Sequence, residues 1–208
     1  MLIVLDHPLV ADRVAALRDP TTGGADFRRL VREVAGSLAY EATRTLATEP
    51  VTVRTALGLD APGRRVRAPG PVVVPILRAG LGMLDGVLGA LPNAEVGVIG
   101  LRRDEATFDP VVYAEKLRDD LSGREAFVID PMLATGGSLV AACEMLQARG
   151  VAHITALTLL AAPEGVALVE QRCPGLTILT AALDDGLNER AFIVPGLGDA
   201  GDRLFGPA

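Results

Sequence analysis

Short unbroken apolar runs alternate with stretches of helical spacing through the middle of the chain. Residues 72–77, 95–101, 126–130, 154–160 and 176–182 read as buried strands, and residues 80–90, 138–149 and 164–172 as helices, the last with Pro163 in its first turn. Strands separated by helices imply an α/β fold, with a largely parallel sheet flanked by helices and right-handed crossovers. Upstream, residues 2–5 suit a short strand, His7-Pro8 breaks it, and a helix runs to Arg18. Residues 21–24 form a loop. A second helix extends from 25 to about 47, with Phe27, Leu30, Val31, Val34 and Leu38 on one face and Arg28, Arg29 and Arg32 on a solvated one. Residues 51–53 are strand-like, and 63–71 read as a hairpin or loop. Residues 104–124 are polar and mixed, strand-like at 111–113, and read as a β-arm. The tail beyond Asp184 is Gly-rich and loop-like.

The stretch richest in chemistry is 126–138. A buried strand there delivers Asp130 to a carboxyl end, where open α/β sheets bind ligands. Pro131 is expected to stop further pairing, Gly136 and Gly137 give a small-residue loop, and a helix starts at Ser138. The N–H groups of Thr135 to Ser138 at the expected helix start, the helix dipole and the hydroxyls of Thr135 and Ser138 suit a phosphate. Asp130 suits sugar hydroxyls nearby. A phosphate beside a diol is a ribose 5-phosphate.

Charge and composition narrow the field. Net charge is −6, which disfavours non-specific nucleic-acid binding. Half the residues are apolar but only 3% aromatic, so the core must be aliphatic. Cys143 and Cys173 fit no metal or CxxC spacing and read as buried thiols of a reducing cytosol. The first residues lack a signal-peptide pattern and no apolar run is long enough to span a bilayer, which points to a cytoplasmic protein with no membrane partner.

Rival motifs are weaker. Gly196-Leu197-Gly198-Asp199-Ala200-Gly201 is literally GxGxxG but has too little chain after it for a dinucleotide unit. Gly80-Leu81-Gly82-Met83-Leu84-Asp85-Gly86 does follow a strand, and Arg102 and Arg103 could then hold an NADP phosphate. No Lys follows Gly136-Gly137, which excludes a Walker A loop. His153 reads as an interior residue, His7 as a turn residue, and Asp184-Asp185 as an exposed turn.

Asp130-Pro131-Met132-Leu133-Ala134-Thr135-Gly136-Gly137-Ser138 resembles the phosphoribosyl-diphosphate signature of the type I phosphoribosyltransferases, in its uracil phosphoribosyltransferase form. Residues 74–83, 161–165 and 196–203 also resemble that family, in family order. Val112, Ala114 and Asp185 depart from its usual pattern. The resemblance implies one phosphoribosyltransferase domain with a core of about 70–184, a small hood from the N-terminal segment and the tail 185–208, and a β-arm. It implies transfer of phosphoribosyl to uracil, yielding UMP and diphosphate. Asp130 and Arg103 would be catalytic. Phosphoribosyl diphosphate would lie on Arg78, Arg103, Asp130, Pro131, Met132, Leu133, Ala134, Thr135, Gly136, Gly137, Ser138 and Asp199. Uracil would lie on Ile193, Gly198, Asp199 and Ala200. Mg²⁺ would be held through the diphosphate, near Asp199, and not by a protein cage. The resemblance further implies a homo-oligomer, dimer or higher, and GTP as an activator in some relatives. A pyrimidine-responsive RNA-binding regulator on the same fold is the alternative.

Overall fold

Strands covered by helices on both faces need no polar side, and the unbroken apolar runs form such a sheet. The computed structural model describes residues 1–103 and 110–207, with the side chains of Arg103 and Pro110 outside that description. The first half comprises β1 (Leu2–Val4), α1 (Pro8–Arg18), α2 (Gly24–Ala42), the strands β2 (Thr48–Arg54) and β3 (Asp60–Val66), β4 (Val72–Leu77), α3 (Leu81–Ala90), β5 (Glu95–Val96), β6 (Val98–Arg103) and β7 (Pro110–Lys116). The second half adds β8 (Glu125–Ile129), β9 (Met132–Leu133), α4 (Gly137–Gln147), β10 (His153–Ala161), α5 (Pro163–Arg172) and β11 (Thr177–Leu183). It ends with β12 (Gly186–Leu187), β13 (Ile193–Val194) and α6 (Ala200–Phe205).

The main sheet runs β1-β11-β10-β8-β4-β6-β7, with β5 beside β4 and β9 beside β10. Its described pairings are parallel except β6–β7. After β4 the chain builds outward through β5, β6 and β7, then returns to β4's other side as β8. The switch point therefore lies at the carboxyl ends of β4 and β8, where a crevice opens. Phe27, Val34, Leu38, Met83, Phe127 and Leu204 pack on one face of the sheet, beneath α1, α2, α3 and α6. Val128, Leu139, Leu146, Ala156 and Val169 pack on the other, beneath α4 and α5. Among the described residues the core is aliphatic apart from those two phenylalanines, Met83 and the two cysteines, as the composition requires.

Several expectations shift. The second helix stops at Ala42, short of 47, and tightens into a 3₁₀ turn at Thr43–Thr45. There the apolar face has ended, and the Thr43 hydroxyl bonds the Tyr40 carbonyl at 2.8 Å, a local bond that competes with continued helix. Residues 48–66 form a continuously paired hairpin from Thr48↔Val66 to Arg54↔Asp60. Within the expected β-arm, β7 is an antiparallel edge strand on β6, and residues 104–109 lie outside the described residues. His153 is exposed at the start of β10, since the buried part of that run begins at Ile154. Cys143 and Cys173 are both buried. His7 caps α1, its Nδ1 accepting the Leu9 N–H at 3.2 Å. Among the described residues no helix is long and apolar enough to cross a membrane.

Candidate active site

The loop that follows β8 is built by the sheet itself. Asp130 N–H donates to the Leu157 carbonyl at 3.2 Å, and the Pro131 carbonyl accepts from Leu159 and Leu160 N–H at 2.9 and 3.1 Å. Pairing then resumes, with Met132 and Leu133 beside Leu160 and Ala161. Pro131 thus does not end the ladder as expected. It lacks a donor, but its carbonyl serves two partners. Gly136 takes a left-handed conformation (φ 88°) and becomes the N-cap of α4, leaving the first N–H groups of that helix without intrahelical partners.

The loop also leans on α5. A Cβ built on Gly165 would lie 2.3 Å from the Ala134 carbonyl oxygen, so only glycine lets α5 approach so closely. This gives the 161–165 motif a physical role. Gly165→Ala should push the 134–136 backbone away and raise KM for a phosphorylated substrate about tenfold or more, because misplacement on this scale is costly. Steady-state kinetics with both substrates varied would check it.

Two adjoining cavities open at the switch point. The larger, about 470 Å³, is lined by Arg78, Ala79, Asp130, Met132, Ala134, Arg190, Ala191, Phe192, Ile193, Gly198, Asp199, Ala200 and Gly201. The smaller, about 60 Å³, lies at the loop itself, between Asp130, Met132–Gly136, Ser138, Leu139 and Thr158. The structure therefore brings together the residues expected from the 130–138 and 193–200 segments, although Pro131 is buried in the sheet. Gly137 opens α4. Arg103 ends β6 with its side chain outside the described residues. Arg78 is exposed at the end of β4 and makes no ion pair among the described residues. Burial pushes the Asp130 carboxyl up to about 7, against a weak pull from the Met132 N–H at 3.5 Å.

Glycines of the rival 80–86 motif are spoken for. A Cβ on Gly80 would lie 2.4 Å from the Ile129 carbonyl and 2.6 Å from that of Ile76. Close packing against the Ile76 and Ile129 backbone thus accounts for Gly80 without a dinucleotide.

A family model described as uracil phosphoribosyltransferase matches residues 4–207. The chain belongs to the uracil phosphoribosyltransferase family. It is 57% identical to a uracil phosphoribosyltransferase of Beutenbergia cavernae, over 98% of this chain and 97% of that one. It is 56% identical to one from a Nocardioides species, with the same coverage. The solved structure of the AQ2163 protein from Aquifex aeolicus superposes with a TM-score of 0.94 at 36% identity, covering 100% and 99% of the two chains. An adenine phosphoribosyl transferase from Trypanosoma brucei, at 12% identity and a TM-score of 0.59 over 95% and 88% of the chains, shares the fold.

Within this family framework the tail forms a folded wall, not the loop expected of residues beyond 184. β12 and β13 pair as a hairpin. Its turn is held by the Asn188 side chain, which accepts from Arg190 and Phe192 N–H at 2.9 and 3.0 Å. That places Arg190, Ala191 and Phe192 on the cavity wall, where no motif announces them. Ala191 adopts φ 60°, the one non-glycine in the left-handed region among the described residues. Asp199 caps α6 by accepting the Asp202 N–H at 2.9 Å. Two- and six-residue elements are too short to leave a periodic pattern.

The tail is anchored to the N-terminal helices. Asp184 is buried, not an exposed turn residue. It accepts two bonds from Arg18, at 2.5 and 2.7 Å, and a third from Gly196 N–H at 2.8 Å. Arg18 also donates to the Gly196 carbonyl at 2.8 Å. Arg203 stacks over the Phe27 ring at 4.1 Å and donates to the carbonyls of Leu17, Leu197 and Asp19. Arg28, expected to be merely solvated, donates to the Leu204 carbonyl at 2.9 Å.

Proposed function

We propose that the chain transfers the phosphoribosyl group of 5-phospho-α-D-ribose 1-diphosphate to N1 of uracil, giving UMP and diphosphate. The observation that carries this reading is the convergence of the 130–138 loop and the 193–201 tail on one cavity. The 5-phosphate lies on Ala134 to Ser138 at the start of α4 and Asp130 receives the ribose hydroxyls. Arg78 and Arg103 receive the diphosphate, whose departure leaves oxocarbenium-like charge on the ribose. Guanidinium groups stabilise the leaving charge, and the Asp130 carboxylate tolerates the positive centre. Uracil is read by Ile193 and the Gly198-Asp199-Ala200 backbone.

Among the described residues no three His, Cys, Asp or Glu side chains cluster to hold a metal. Asp130 and Asp199 on one cavity wall instead suit an ion carried mainly by substrate phosphates and water. Mg²⁺ bound there would neutralise charge on the leaving diphosphate. The buried thiols support a cytoplasmic setting. Exposed Val53, Leu57, Leu59 and Val66 on the β2–β3 hairpin support a homo-oligomer.

Release of diphosphate with Mg²⁺ and each of uracil, cytosine, hypoxanthine and orotate tests the reading. Turnover is expected with uracil, and cytosine should be disfavoured by about 10⁴-fold, because its reversed hydrogen-bond pattern leaves buried groups unpaired. Preference for another base, or no turnover with any base even when GTP is added, would overturn it.

A further inference from the structure

Among the described residues three polar side chains are buried: Thr158, Thr180 and Asp184. Two have partners. The Thr180 hydroxyl donates to the Ala182 carbonyl at 2.9 Å, and Asp184 is bonded as above. Thr158 is 1% exposed, and its Oγ1 has no partner among the described residues. The other buried polar atom in that position, Arg149 Nε, belongs to a guanidinium held through its remaining nitrogens by the Met145 carbonyl and Glu115. A buried hydroxyl without a bond is costly, so such a group calls for a partner outside the chain.

Its position supplies one. The register runs from Leu157↔Ile129 to Leu160↔Met132, which sets Thr158 beside Asp130 in the sheet. Thr158 lines the 60 Å³ cavity together with Thr135, Gly136 and Ser138. That cavity shares Asp130, Met132 and Ala134 with the larger one, so a phosphate held there adjoins the rest of the site. Turning χ1 by one staggered step carries the hydroxyl to another of the three positions about Cβ, with the methyl moving on, so the oxygen is not fixed in one direction.

We infer that Thr158 is a further phosphate-binding residue, its hydroxyl donating to an oxygen of the phosphate seated on the 134–138 loop. This rests on the phosphate assignment of that loop. The hydroxyl donates from the floor, on β10, while the loop N–H groups donate from the rim. A neutral donor there adds a directional bond without adding charge.

Thr158→Val keeps the shape and removes the hydroxyl; Thr158→Ser keeps the hydroxyl. Ribose 5-phosphate and inorganic phosphate serve as probes, with affinity and thermal melting measured for each protein. Thr158→Val is expected to bind both probes about tenfold more weakly, the value of one hydrogen bond to a charged acceptor. Its ligand-free melting temperature should equal or exceed that of the parent, because an unpaired buried hydroxyl has gone. Thr158→Ser should stay within about threefold of the parent, the range set by one uncertain hydrogen bond. Unchanged affinity in Thr158→Val would overturn the inference. So would a lowered ligand-free melting temperature with unchanged affinity, which would mean that the hydroxyl serves a structural water. Lost affinity for ribose 5-phosphate but not for phosphate would place the contact on the sugar and refute the assignment. If the parent protein itself is stabilised by neither probe, the loop assignment fails first, a result distinct from these.

Discussion

Replacing Asp130 with Asn is expected to cut kcat at least a hundredfold while making the ligand-free protein more stable at pH 8. The two effects share one cause. The carboxyl sits at the switch point, walled by β8, β10 and the loop, and burial raises it from an ordinary 3.8 to about 7. Its folded form therefore holds the proton more tightly than its unfolded form. By linkage, stability then falls as pH rises from about 4 to about 7 and is level above, where both forms are ionised. Asn has no proton to lose, so its advantage over Asp should be absent near pH 4, grow to about pH 7 and hold to pH 8. A three-unit shift sets a ceiling of about 4 kcal/mol, and cavity water should reduce it. The kinetic loss follows from the proposed role, in which the ionised group faces developing positive charge, and a preorganised charge of this kind is worth about 3–4 kcal/mol in the barrier. kcat/KM for phosphoribosyl diphosphate should accordingly rise toward pH 7 in the parent, and the variant should lack that limb. Urea melts at pH 4, 6 and 8 with matched pH–rate profiles decide it. A variant that is less stable at pH 8, or within about threefold of the parent in kcat, roughly 0.6 kcal/mol, would remove Asp130 from its role.

Much of this site is legible in the sequence because its chemistry is contiguous. Strand, carboxylate, glycines and helix start fall within residues 126–138, and strand-to-helix alternation places them at a sheet's carboxyl end. The rest is not contiguous. Arg18 and Asp184 are separated by 166 positions, and nothing in either neighbourhood marks the other. Asp184-Asp185-Gly186 has the composition of a surface turn, yet only Asp185 is exposed. Arg190 and Phe192 reach the cavity because Asn188 closes a hairpin of two-residue strands, shorter than any periodicity can reveal. The glycine at 165 was visible as part of a family motif, but its reason, contact with the Ala134 carbonyl, exists only in three dimensions. Local chemistry is readable from order along the chain, whereas long-range pairing is not.

Asp184→Ala should be the most destabilising single change outside the loop, by about 3 kcal/mol or more, and its kinetic damage should fall mainly on uracil. Removing the carboxylate leaves the Arg18 guanidinium, only 26% exposed in its side chain, without its main partner. It also strands the Gly196 N–H, which has no other acceptor among the described residues. Breaking a buried pair in this way costs about 3–5 kcal/mol, since one charge stays behind uncompensated. For a chain of this size that corresponds to a fall of about 6–12 °C in Tm. Gly196 opens the segment that carries Gly198, Asp199 and Ala200, so losing its anchor frees the cavity wall proposed above to read the base. The 130–138 loop hangs instead on β10 and α5, through Pro131, Leu133 and Gly165, and keeps those supports. KM for uracil should therefore rise by about tenfold or more while KM for phosphoribosyl diphosphate changes by less than about threefold, since a loosened site loses binding where its support is lost. The pair replacement Arg18→Met with Asp184→Leu should recover much of the stability, as apolar substitutes for buried ion pairs often do. It should not recover uracil affinity, because neither new side chain can bond the Gly196 N–H or carbonyl. Equal losses for both substrates would mean that Asp184 only holds the fold together. A restored uracil KM in the pair variant would mean that packing, and not the two bonds to Gly196, sets the wall.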